Sequence, residues 1–250
     1  FFLHFYKEMN RSHSSHPVFS TAEIEFPLTV KAIIIDLDGT LLDTAGDLAI
    51  AANIMLRELG VAELPLVTIQ SYIGRGVLNL VRRCLANSLN NEPDPDFLAQ
   101  AMVIYEKEYA KKLCVTTRPY PRVVDGLIAM KEAGFQLACI TNKSETFTLP
   151  LLRATKLLNY FDIVLSGDSL PKKKPDPAPL HHACKVFGIM PNEMLLIGDS
   201  GNDTKAARAA GSYVFCVPYG YNEGRDVHEL DCDRVIPSIY EAVHLIKRLT

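Results

Sequence analysis

No stretch of the chain reaches the roughly 18 consecutive apolar residues that a membrane-crossing helix needs, so the sequence offers no spanning segment. An excess of one charge is also missing. The 26 basic and 29 acidic side chains leave a formal net charge of −3, which speaks against a nucleic-acid or membrane-surface partner. The six cysteines (84, 114, 139, 184, 216 and 232) include no C-x-x-C pair and no metal-ligand spacing. That argues against a disulfide framework and for reduced, buried thiols in a cytoplasmic protein. At the start, FFLHFY reads as too short for the apolar region of a secretory signal, and no basic segment precedes it. Residue 1 is not Met, so either the sequence is truncated or Met9 is the start, and His13, Ser14, Ser15, His16 and Pro17 read as unstructured. Residues 1–29 are therefore expected to be a disordered extension outside the fold.

What is present is an ordinary globular composition, 48% hydrophobic and 22% charged, over 250 residues. That length suits one large domain, or one domain with a smaller insert. The most informative stretch is KAIIIDLDGTLLDT at 31–44. Three consecutive isoleucines in a short apolar run predict a strand buried on both faces, as in a parallel sheet. Asp36 and Asp38 follow it. Two residues apart on extended chain they share a face, roughly 7 Å from each other, and Gly39 permits a sharp turn after them. Gathering like charges at the end of a buried strand costs stability, so a cation or a reaction is the natural reason for the pair. In open α/β sheets, ligands bind beyond the carboxyl ends of the strands.

After this strand the pattern turns helical. Leu48, Ala52, Met55 and Leu59 form one stripe, with Asp47 as a first-turn acid or N-cap and Asp43 and Thr44 as capping residues. Further helices are predicted from about Val77, and from about Phe97 to Leu113. With no convincing strand in 46–117, this segment is expected to be an all-helical insert. From residue 118 strands and helices alternate: a helix at 123–132, a strand at 135–140, a helix at 147–158 broken near Pro150, and a strand at 163–166. A basic loop with Lys172, Lys173 and Lys174 then leads to a helix at 180–187. A strand at 194–197, a helix at 204–210 and a strand at 213–217 follow. This rhythm predicts right-handed βαβ crossovers and an α/β fold, a Rossmann-like doubly wound parallel sheet interrupted by the helical insert. The core would comprise 30–45 and 118–250.

Four strand ends carry chemistry: Asp36 and Asp38; Thr141 and Asn142; Lys174 beyond the 163–166 strand; and Asp199 with Asp203 in GDSGND. Clustered carboxylates suit Mg²⁺, which takes hard oxygen ligands. A metal, an ammonium and a hydroxyl aimed at one point suit a phosphoryl group. On these motifs, with PYGYNEG at 218–224 and IGRG and VRRCL in the insert, the chain resembles the haloacid dehalogenase-like phosphatase superfamily and its phosphoglycolate phosphatases. The resemblance spans about residues 30–245. It implies that the insert is a cap domain and that the partner is a small phosphate ester. Asp36 would then be the nucleophile and Asp38 the general acid–base. Mg²⁺ would be held by Asp36, the Asp38 carbonyl and Asp199, with Asp203 as a direct or indirect metal partner. Thr141 would bind phosphoryl oxygens, with Asn142 beside it, and Lys174 would offset charge repulsion. The alternative reading of Asp203 is a helix N-terminal acid.

Other readings of the same residues remain at this point. A dehalogenase has no need of Asp38; a phosphomutase would keep both acids. A phosphonate hydrolase would need a cap lysine, and Lys107, Lys111 and Lys112 are expected to face solvent. A receiver module would have little use for a cap. Monomer and homodimer are equally compatible with the sequence. Specificity is expected to rest on Arg75, flanked by Gly74 and Gly76 between two insert helices, whose guanidinium could match a substrate carboxylate. The plainer alternative is a solvated loop arginine, and Arg82 or Arg83 could serve instead.

Overall fold

The computed structural model of the protein describes residues 24–249. In chain order the elements are β1 (Leu28–Val30), β2 (Ala32–Ile35), β3 (Leu42–Asp43), α1 (Ala45–Glu58), α2 (Leu66–Ser71), α3 (Val77–Ala86) and α4 (Pro95–Lys112). There follow β4 (Arg118–Pro119), α5 (Val123–Glu132), β5 (Gln136–Ile140), α6 (Glu145–Ala154), β6 (Ile163–Leu165), α7 (Ala178–Phe187), β7 (Met194–Gly198) and α8 (Gly201–Ala210). The chain closes with β8 (Tyr213–Cys216), β9 (Arg234–Val235), α9 (Ala242–Leu245) and β10 (Ile246–Arg248). Among the described residues no helix is long and apolar enough to cross a membrane.

The main sheet has six parallel strands in the order β6-β5-β2-β7-β8-β9. The isoleucine run takes its centre for a physical reason. Ile33 and Ile35 point into one core with Leu127, Met130 and Leu151 of α5 and α6, while Ala32 and Ile34 point into another with Leu180, Ala183, Ala206 and Ala207 of α7 and α8. Both faces of β2 are thus dry, and every residue of it is fully buried. From β2 the chain winds outward through β5 and β6, then returns to β7 and winds the other way. That reversal makes the β2–β7 pair a topological switch point, the place where open α/β sheets hold ligands. The register brings the strand ends level: Ile35 pairs with both Cys139 and Ile197.

The helical insert, α1 to α4, leaves the core between the two-stranded antiparallel pair β3–β4. Its own core joins Leu48, Ala52 and Met55 of α1 to Tyr105 and Tyr109 of α4, and reaches Phe147 and Tyr221 of the main body. α4 is capped by Asp94, which accepts the N–H groups of Asp96 and Phe97 at 3.1 and 3.0 Å, with Pro95 just inside the helix.

Three expectations need adjusting. Leu28 and Thr29 belong to β1, which pairs in parallel with β10, so the fold begins before residue 30. A three-residue strand whose partner lies at the other end of the chain leaves no local signal. Residues 1–23 of the expected extension lie outside the described residues. α6 starts at Glu145, runs through Pro150 and stops at Ala154, with a separate 3₁₀ turn at Leu158–Tyr160. Finally, α2 is a helix that the sequence does not signal, because six residues are too few to show a periodicity.

Candidate active site

The peptide N–H of Asp36 donates to Ile197 O at 3.0 Å, so the β2 ladder holds this residue against the end of β7. Gly39 then takes φ +89°, a conformation that favours glycine, and the chain doubles back with Gly39 N–H on Leu42 O at 2.9 Å. Gly39 has a second reason to lack a Cβ: one built there, or on Gly220, would collide with the Asp199 carboxylate. Asp199 is further held by Thr40 Oγ1, which donates to its Oδ1 at 3.1 Å, and by the Tyr221 backbone N–H, which donates to Oδ2.

Lys174 is buried between two acids, its Nζ 2.9 Å from Asp36 Oδ1 and 2.7 Å from Asp203 Oδ1. The other oxygen of Asp203 accepts from the Ser200 hydroxyl at 2.7 Å and the Ser200 N–H at 3.1 Å. Asp203 therefore closes the first turn of α8, as a helix N-terminal acid does, and also fixes the lysine. Asp36, Asp199 and Asp203 each offer an oxygen within 4.8 Å of the others. Burial pushes the Asp36 carboxyl up to about 7, against the pull of Lys174 and with the help of Asp203. Burial, then the charges of Asp203 and Asp36, push Asp199 well above the usual carboxylate range. For Lys174 burial acts downward, but Asp203 and Asp36 outweigh it and hold the ammonium above its ordinary value.

Three buried carboxyl groups around one ammonium lack positive charge, and buried Asp36 Oδ1 has no hydrogen bond of good geometry despite the nearby lysine. An all-oxygen donor set with a charge deficit fits a hard divalent cation.

Above the acids lies a small cavity of about 30 Å³, lined by Asp36, Asp38, Thr141, Asn142 and Lys143 on the sheet side and by Leu48, Ile73, Val77 and Leu80 of the insert. Asp36 and Asp38 do share one space, as their spacing predicts. Thr141 stands in its wall. Asn142 is spent differently: its amide donates to Lys174 O at 2.9 Å and Gly74 O at 3.2 Å, tying the lysine loop to the insert. Arg75 is not brought to the cavity. It is half exposed and pairs with Glu223 at 3.1 Å, because that carboxylate on the 218–224 loop is the nearest counter-charge. Arg82 serves Leu89 O, Asn91 O and Glu92 within the insert. Arg83 is buried on Tyr72 O and Glu223. Lys107 and Lys111 are exposed beside Glu108.

Sequence reasoning missed four residues here. Lys143 sits 3.1 and 3.2 Å from the two oxygens of Asp38, and only its place directly after Thr141-Asn142 could have signalled it. Tyr221 caps α1 from a distance: its hydroxyl accepts from Thr44 N and Ala45 N at 2.8 and 3.0 Å and donates to Asp43 Oδ1 at 2.6 Å. This displaces the expected capping by Thr44, whose hydroxyl makes no cap bond. Asp47 likewise caps nothing locally but accepts four hydrogen bonds from Thr116 and Thr117. Glu223 and Asn202 grip the 72–76 loop of the insert, Glu223 through Arg75 and Asn202 by donating to Gly74 O at 3.2 Å.

Comparison with known proteins places this geometry. The sequence model of haloacid dehalogenase-like hydrolases matches residues 33–217. A phosphoglycolate phosphatase of Nitrosospira multiformis is 67% identical over 225 residues, covering 90% of this chain and 99% of its own. One of Thiobacillus denitrificans is 57% identical, covering 89% and 98%. Among solved structures, a predicted phosphoglycolate phosphatase from Haemophilus somnus superposes with a TM-score of 0.80 at 32% identity, covering 85% of this chain and 96% of its own.

Proposed function

Because the chain belongs to the haloacid dehalogenase-like hydrolase family, in its phosphoglycolate phosphatase branch, we propose that it hydrolyses 2-phosphoglycolate to glycolate and phosphate through a phosphorylated aspartate. The observation that carries the reading is the convergence of Asp36, Asp199 and Asp203 around Lys174, with Asp38 in the same cavity two residues from Asp36.

In this reading an Asp36 oxygen attacks phosphorus and the bond from phosphorus to the glycolate oxygen breaks. Asp38 gives its proton to the departing alkoxide. It then takes a proton from a water that attacks the phosphoaspartate, so that the bond from phosphorus to Asp36 breaks and free phosphate leaves. Lys174 keeps Asp36 and Asp203 from repelling the incoming dianion, and the Thr141 hydroxyl donates to a phosphoryl oxygen. Asp36, Asp199 and the Asp38 carbonyl would hold Mg²⁺, with Asp203 behind them because both of its oxygens are already engaged. The bound cation would supply positive charge to the carboxylate cluster and the phosphoryl oxygens. The insert acts as a cap that keeps water from the phosphoryl group.

Phosphate release measured with Mg²⁺ over a panel of metabolites tests this. The expected result is the highest kcat/KM on 2-phosphoglycolate. A higher value on a sugar phosphate or an aryl phosphate would overturn the substrate assignment.

A further inference from the structure

The cap side of the cavity is apolar. Leu48, Ile73, Val77 and Leu80 face the acids, and none of the arginines Arg75, Arg82 and Arg83 lines the space. A substrate with its phosphoryl group at Asp36 must direct the rest of itself toward this side. If that remainder ends in a carboxylate, it needs a cation, because a desolvated charge without a partner is costly. Lys174 already serves Asp36 and Asp203 from beneath. Among the described residues lining the cavity, the remaining cation is Lys143.

Lys143 is a built feature rather than a stray surface lysine. It is 3% exposed. Its peptide N–H donates to Thr141 Oγ1 at 3.2 Å, and its carbonyl accepts from Gly167 N at 2.7 Å and Thr148 Oγ1 at 3.2 Å. The ammonium lies over the Tyr109 ring of the insert, 4.9 Å from its centroid, and against both oxygens of Asp38. An ammonium has three donors, and Asp38 takes at most two of them. Its ammonium is therefore held between Asp38 and the Tyr109 ring, at the wall of the cavity that Lys143 lines.

We propose that Lys143 determines substrate specificity by receiving the carboxylate at the end of the substrate remote from phosphorus. This rests on the phosphatase reading above and assigns to Lys143 the task that sequence spacing suggested for Arg75.

The test compares two substrates of equal length, 2-phosphoglycolate and 2-hydroxyethyl phosphate, on the full chain with Mg²⁺. Lys143→Met keeps the aliphatic stem and removes the charge; it should lower the ratio of kcat/KM values at least tenfold, the scale of one charge-assisted contact. Lys143→Arg should retain more of the ratio, and Arg75→Ala all of it. Since Lys143 also touches Asp38, a common loss of rate on both substrates is expected and is divided out. Binding gives a second readout that needs no turnover: 3-phosphonopropionate should lose its advantage over propylphosphonate by calorimetry in Lys143→Met. An unchanged ratio in Lys143→Met, by rates and by binding, overturns the assignment while leaving the phosphatase reading standing. A fall in the ratio with Arg75→Ala overturns it in favour of Arg75. A wild-type protein with no preference for the carboxylated substrate overturns the phosphoglycolate reading and this inference with it.

Discussion

Asp36 and Asp38 are two residues apart yet meet different partners, which is why they can carry different tasks. Asp36 lies against Lys174, in the group of buried acids, whereas Asp38 lies against Lys143 at the cavity wall. Asp36→Asn keeps the shape and removes the nucleophile, so phosphate release should vanish while the unfolding midpoint in urea stays within a few tenths of a molar of the parent's. Mass spectrometry of acid-quenched wild-type protein should find the phosphoryl group on the peptide bearing Asp36; a label on any other residue would refute the assignment. Asp38→Asn should retain binding but lose roughly two to four orders of magnitude in kcat, the range for a general acid–base.

At the level of elements, the insert is joined to the core by polar contacts that can be tested one at a time. Asp47 in the first turn of α1 holds the exit of the insert through the N–H and hydroxyl groups of Thr116 and Thr117. Burial works to raise its pKa, but these four hydrogen bonds prevail and hold it below its ordinary value of 3.8. A depressed folded-state pKa means that the contribution to stability is complete above the unfolded value and is lost as pH falls through the folded one. Asp47→Asn should therefore cost about 1–3 kcal/mol at neutral pH and show a shallower loss of stability below pH 4, as followed by denaturant unfolding at several pH values. Glu223 is the counterpart on the other side, meeting buried Arg83 at 2.6 Å and Arg75 at 3.1 Å. Removing it strands a guanidinium that is almost fully buried and whose Nε already lacks a partner. Glu223→Ala should lose about 3 kcal/mol of stability, and Arg83→Met added to it should restore part of that loss, because the stranded charge is then gone.

For the molecule as a whole, the doubly wound sheet collects acids at one edge, and gathering them there costs stability that a bound divalent cation would offset. A ligand that binds the folded state alone stabilises it by RT ln(1 + [L]/Kd), about 2.7 kcal/mol at one hundred times Kd. Mg²⁺ at that excess should raise the melting temperature by roughly 5–10 °C for a chain of this size, and Asp199→Ala should abolish the shift. Phosphate release should stop in excess chelator and return with Mg²⁺; full activity in chelator would sink the metal assignment.

The α/β class and the parallel sheet were legible because their causes are local. A run of β-branched residues too apolar for a surface strand, and helices spaced between such runs, leave few ways to bury both faces. The residues that gather at the strand ends, Asp36, Asp38, Thr141, Lys174, Asp199 and Asp203, were legible for a related reason: once strands are parallel and level, whatever follows each of them lies on one edge. Which of these neighbours touch was decided only by the tertiary structure. Pairing of charges depends on distances across loops, and the sequence holds no record of them. Arg75 sat between glycines in an inviting position, but Glu223, almost 150 residues later, lies closer to it than the cavity does. Lys143 carried no pattern of its own and came to Asp38 because β5 pairs beside β2. Tyr221 could not be read as the cap of α1, since the chain between them builds most of the molecule. Periodicity and strand ends are properties of neighbouring residues, whereas ion pairs and distant caps are properties of the closed fold.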